Sequence, residues 1–182
     1  AEHPKRFVAL GTLPMQAPER FLGLLGMYTL LATGEEPLSP GFLTWREMCA
    51  RHPEYDVADL FARGNPHLTP QERAAYAAPF PDRGHRAALR AFPPMVPAQP
   101  DAEGAAISRE AREFWSQRWE GRSLMAVGVH DPVLGPSVME RLRAHIRQCP
   151  PPLLVKQAGH FVPEHGEDIA EHALDYFNRG SP

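Results

Sequence analysis

The chain has 182 residues, a formal net charge of −3, and 43% apolar and 23% charged residues. That length suffices for one domain with a packed core, and without a basic excess nucleic acid is not an expected partner. The apolar piece at 21–32 is too short to cross a bilayer, and the first six residues lack a signal-peptide shape. The two cysteines, Cys49 and Cys149, are too few for a disulfide framework and fit a reducing cytoplasm.

Residues 7–13 read as a buried strand ending at Pro14. No element precedes it, and parallel strands are normally covered on both faces, so a further N-terminal part is expected. Between residues 14 and 38, Pro14, Pro18, Gly34 and Pro37 bracket an apolar stretch that could form a helix. From Ser39 to about Val96 the pattern is helical with short loops. Ser39-Pro40 is a cap followed by a first-turn proline, opening a helix through Phe42, Trp45 and Met48. Thr69-Pro-Gln-Glu72 is a capping box, starting a helix through Tyr76. Asp82 is placed to cap a helix through Leu89 and Phe92. Residues 107–119 form a further amphipathic helix, on which Trp115 and Trp119 are packing residues.

Alternation then returns, with a strand at 124–129, a helix at 138–146, a short strand at 153–155 and a final helix at 169–177 closed by Asn178-Arg-Gly180. Strand and helix alternating through short loops imply a parallel sheet. The expected fold is α/β: an open parallel sheet with a helical cap inserted in its later part. The expected division is core at 1–24, cap at 25–100 and core at 101–182.

In such sheets ligands bind beyond the carboxyl ends of the strands. Asp131 and His160 both follow predicted strands there. A histidine at neutral pH can take and return a proton, and it needs a partner to fix its tautomer. Alone, His160 is a loop histidine satisfied by backbone, and Asp131-Pro132 is a turn starter or helix cap. Together they match the end of an α/β-hydrolase triad, ordered nucleophile, acid, histidine. The nucleophile should precede both, and residues 1–130 offer no convincing candidate. No Gly-x-Ser-x-Gly elbow and no glycine-rich phosphate loop occurs. The remaining histidines lack metal-ligand spacing, so neither metal nor cofactor is expected. Trp45 either fills the core or points its indole N–H, a donor only, at an anion in a dry cavity.

The segments Phe42-Leu-Thr-Trp45, Ala75-Tyr-Ala-Ala-Pro-Phe-Pro-Asp82, Ala91-Phe-Pro-Pro-Met-Val96, Asp131-Pro-Val-Leu-Gly-Pro136 and Ala158-Gly-His-Phe-Val-Pro-Glu164 resemble a haloalkane dehalogenase, from about Glu35 to the C-terminus. The resemblance implies the C-terminal part of an α/β-hydrolase fold. It also implies that an aspartate displaces halide and forms an alkyl ester, which water activated by His160 hydrolyses while Asp131 supports His160. By the same resemblance Trp45 donates to the halide, and Phe42, Phe92, Pro93, Val96, Val133 and Leu134 line the apolar pocket. The implied ligands are a small halogenated hydrocarbon and the halide ion, with the nucleophile in a missing N-terminal part or on a complementary chain. Pro14 stands about where some relatives keep an alternative acid. Two other readings remain: an epoxide hydrolase, which would need cap tyrosines as proton donors, and an inactive fragment that binds apolar ligands or a partner.

Overall fold

The first sheet strand comes from a segment whose sequence suggests a helix. In the computed structural model, which describes residues 13–21, 23–52 and 54–178, Gly23–Met27 is strand β1. Its two glycines weaken a helix by about 1 kcal/mol each, and parallel pairing with a neighbouring strand offers better burial. Leu24 enters one core cluster, while Leu25 and Met27 pack against the other. The strand expected at 7–13 falls on residues 1–12, outside the described part, except that Leu13–Gln16 is a short helix, α1.

β1 pairs in parallel with β2 (Arg122–Gly128), and β2 with β3 (Leu153–Val155), in the order β1-β2-β3. β2 is central among the described strands and is buried along nearly its whole length. Met125 and Val127 join Leu24, Phe114, Trp115, Trp119, Met139, Leu142 and Ile146 on one face. Ala126 joins Val155, Ala158, Val162 and Ile169 on the other. A strand covered on both faces reads as a continuous apolar run, which is why this one is legible at 124–129.

Among the described residues, four helices follow β1 before residue 100: α2 (Pro40–Arg51), α3 (Val57–Gly64), α4 (Pro70–Ala77) and α5 (Ala87–Met95). Residues 25–27, expected within the cap, pair in the sheet instead, so this helical region begins at Pro40. Ser39 caps α2 by accepting the Phe42 N–H, and the Thr69–Glu72 capping box is complete. Asp82 does not cap α5. Its carboxylate accepts the His85 N–H and closes a separate turn, and α5 starts at Ala87 after Arg86.

α6 (Ala105–Glu113) passes into a π-helical turn, Phe114–Arg118, closed by the Trp119 N–H to the Phe114 carbonyl. The wider turn lets Trp115 and Trp119 both enter the core with ring centroids 5.0 Å apart. The Trp119 indole N–H donates to Ser123 Oγ at 2.9 Å, which satisfies a buried donor. α7 (Pro136–Ala144) connects β2 to β3, and α8 (Gly166–Asn178) follows β3. Arg179 and Gly180, expected to close α8, lie outside the described residues. No helix among the described residues is long and apolar enough to cross a membrane.

Candidate active site

Three parallel strands put their carboxyl ends on one edge of the sheet. β2 ends at Gly128 and leads to Asp131; β3 ends at Val155 and leads to His160; β1 ends at Met27 and leads to Tyr28. The two later loops are stitched together, with the Val129 N–H donating to the Val155 carbonyl and the His130 N–H to the Ala158 carbonyl. His130 itself is exposed.

His160 Nδ1 and Asp131 Oδ2 lie 2.9 Å apart. The Asp131 side chain is 0% exposed and that of His160 25%. Asp131 Oδ1 accepts the N–H groups of Val133 (2.8 Å) and Leu134 (2.9 Å). The carboxylate therefore caps its own turn with one oxygen and holds the imidazole with the other. The turn role and the pair role, alternatives in the sequence, coexist. Burial pushes the Asp131 pKa up, but the His160 hydrogen bond and charge, with the Leu134 and Val133 N–H groups, outweigh it and hold the carboxyl below its ordinary value. A carboxylate kept ionised there makes the Nδ1–H tautomer of His160 favourable and leaves Nε2 free to accept a proton.

The His160 loop is built to a close tolerance. The His160 N–H donates to the Gly64 carbonyl at 2.8 Å. A Cβ on Gly159 would overlap that same carbonyl oxygen. Gly159→Ala is therefore expected to destabilise the fold by about 1–3 kcal/mol, the usual cost of overpacking. Denaturant midpoints of the two forms check this, and coincident midpoints would contradict so tight a seat.

The helical region touches both loops. Ser39 Oγ donates to the Val133 carbonyl at 2.8 Å, anchoring the start of α2 beside Asp131. Trp45 lies one turn further on, half-buried, with its ring 5.5 Å from Phe42 at 69°. Among the described residues its indole N–H has no acceptor. Phe42, Pro93 and Leu134 are buried, Val96 and Val133 half-buried, but Phe92 is 63% exposed.

Tyr28 is absent from the sequence-derived site. Its ring meets the His160 imidazole edge-on at 5.8 Å and Phe161 at 6.1 Å. Its φ of +32° is a left-handed conformation that a side-chain-bearing residue rarely adopts, at a cost of about 1–3 kcal/mol. Pro14, expected near an alternative acid position, is buried in α1. The strand end that faces His160 carries Tyr28. Recognising β1 in the sequence would have marked it, because the residue after a parallel strand is where ligands are met. Among the described residues no group of three or more His, Cys, Asp or Glu side chains could hold a metal.

The geometry is that of a buried acid holding a half-exposed histidine beside the helical region. Known proteins carry related sequences and folds. No protein-family model matches the chain. It is 29% identical over 163 residues to a haloalkane dehalogenase of Mycolicibacterium paratuberculosis, covering 88% of this chain and 54% of that one. It is 33% identical over 147 residues to haloalkane dehalogenase 1 of Mycobacterium tuberculosis, covering 80% and 48%. The chain thus spans about half the length of the curated relatives it matches. Among solved structures, the tetrameric haloalkane dehalogenase DpaA of Paraglaciecola agarilytica superposes with a TM-score of 0.82 at 37% identity, over 90% of this chain and 55% of that one. DatA of Agrobacterium tumefaciens, at 21% identity and a TM-score of 0.68 over 92% and 62%, shares the fold. By sequence and by fold, the chain matches a C-terminal portion of the haloalkane dehalogenases, within the α/β-hydrolase fold.

Proposed function

We propose that this chain supplies the acid, the general base and the cap of an enzyme that hydrolyses haloalkanes to alcohol and halide. The observation that carries the reading is the 2.9 Å contact of His160 Nδ1 with buried Asp131 at the carboxyl edge of the sheet. An aspartate outside these 182 residues attacks the carbon, the carbon–halogen bond breaks, and halide leaves with the bonding pair. His160 Nε2 then takes a proton from water as the water oxygen attacks the ester carbonyl; the bond from the carbonyl carbon to the alkyl oxygen breaks, the imidazolium returns that proton to the leaving oxygen, and the alcohol departs as the aspartate carboxyl is regenerated. Asp131 stabilises the imidazolium that forms. The sheet strands and residues 101–178 serve as core, and the helices at 40–95 as cap. Free, buried Cys49 and Cys149, with burial pushing the Cys149 thiol up to about 11, suit a reducing cytoplasm.

In this reading Trp45 meets the leaving halide, and Phe42, Phe92, Pro93, Val96, Val133 and Leu134 surround the carbon chain. Trp45→Phe keeps a ring against Phe42 and removes the N–H. It is expected to weaken halide binding about 10- to 100-fold, the worth of one hydrogen bond to a charged group. Bromide titration followed by tryptophan fluorescence checks it, and unchanged affinity would remove Trp45 from the site. An epoxide hydrolase would need a free cap tyrosine. The Tyr76 hydroxyl instead donates to Glu164, and that of Tyr55 is buried against the Cys49 thiol.

The deciding experiment is bromide release from 1,2-dibromoethane with intact mass recorded on the same sample. Release only when a nucleophile-bearing polypeptide accompanies the 182-residue chain supports the reading. Release by the chain alone would mean a nucleophile within it. No release in either case favours the inactive-fragment reading.

A further inference from the structure

The structure assigns Asn65, in the cap, as a positioning residue that holds the His160 loop by its backbone and so sets the imidazole against Asp131. The inference rests on the base role proposed for His160. Asn65 follows the last turn of α3 and is 1% exposed. Its Oδ1 accepts the Phe161 N–H at 2.6 Å, and its Nδ2 donates to the Phe61 carbonyl at 3.1 Å. Those two partners fix which way the amide points, because an N–H can only donate and a carbonyl only accept. The preceding residue, Gly64, accepts the His160 N–H through its carbonyl. Two consecutive donors of the histidine loop are thus received by two consecutive cap residues.

The side chains reinforce this backbone contact. Phe61 stacks on Phe161 at 5.0 Å and 13°, Tyr76 stacks on both rings, and the Tyr76 hydroxyl reaches Glu164 in the turn that follows. Residues 156–161 lie in no strand or helix. Without the Asn65 amide, the Phe161 N–H would lose its acceptor, and the loop would have reason to shift toward water. His160 would move with it, because a single methylene ties the imidazole to that backbone. The cap that roofs the crevice therefore also aligns the base.

The test is proton NMR of the 182-residue chain, which needs no turnover. The ring N–H shared between His160 and Asp131 should give a downfield resonance in the unaltered protein. In Asn65→Leu, of similar shape but without donor or acceptor, that resonance is expected to vanish or to exchange at least tenfold faster, with the sheet signals retained. A ring resonance unchanged in Asn65→Leu overturns the assignment. Should Asn65→Leu not fold, hydrogen exchange of the unaltered protein decides. Ring proton and Phe161 amide exchanging together support the latch, and a Phe161 amide that exchanges freely while the ring proton persists overturns it. Asp131→Asn removes the ring resonance while leaving the Phe161 amide protected, which separates the latch from the pair. If the latch holds but replacing His160 leaves halide turnover intact, the base role fails and the positioning result stands.

Discussion

Replacing His160 with glutamine is expected to stop turnover after a single round of halide release. In the proposed sequence the carbon–halogen bond breaks without any proton transfer, so the first step has no need of a base. The second step does, and a positioned general base contributes roughly 10²–10⁴-fold. Turnover in the assembled enzyme should therefore fall about 10³-fold, with one bromide released per site and the alkyl group retained as added mass on the nucleophile-bearing part. Glutamine keeps the backbone N–H that donates to Gly64, so the loop should hold. Rapid-quench mass spectrometry with 1,2-dibromoethane measures this. Turnover within tenfold of the unaltered enzyme would remove His160 from the base role.

Asp131→Asn is the second large effect, and it reaches both activity and stability. Asparagine Oδ1 can still accept the Val133 and Leu134 N–H groups, but Nδ2 then faces His160 Nδ1 with a donor. The imidazole is driven to carry its proton on Nε2, the tautomer that cannot act as base. A fall of about 10³–10⁴-fold in turnover follows, the size seen when such a carboxylate becomes an amide. Stability follows the depressed carboxyl pKa. A carboxyl depressed by folding stabilises the native state above its unfolded value, near 4, and that contribution fades as pH falls through the folded value. The unaltered chain should thus exceed Asp131→Asn in stability at pH 7, and the gap should narrow below about pH 4. Denaturant midpoints at pH 7 and pH 3 test the sign. An equal gap at both would mean that the ionised carboxylate contributes nothing to folding.

What local chemistry decides was readable in the sequence. The Ser39 and Thr69 caps each need only three or four consecutive residues. β2 is marked by burial on both faces, which demands an apolar run. Asp131 and His160 were visible because each follows such a strand, and parallel strands end on one edge. The start of α5 was misplaced because an aspartate that closes a turn looks the same in sequence as one that caps a helix.

Other features needed the third dimension. Gly23–Met27 is a strand only because Arg122–Gly128 lies beside it, and a short stretch with two glycines carries no period of its own. The π turn at Phe114–Arg118 reflects the fit of Trp115 and Trp119 into one core. Tyr28 reaches His160 at a sequence separation of 132, and Asn65 reaches Phe161 at one of 96. By itself, then, the sequence determined the class of fold, the Ser39 and Thr69 caps and the pairing of Asp131 with His160, because these rest on periodicity, capping and strand ends. The seating of that pair beneath the cap was decided by tertiary structure alone, because hydrogen bonds between distant segments leave no local pattern in either one.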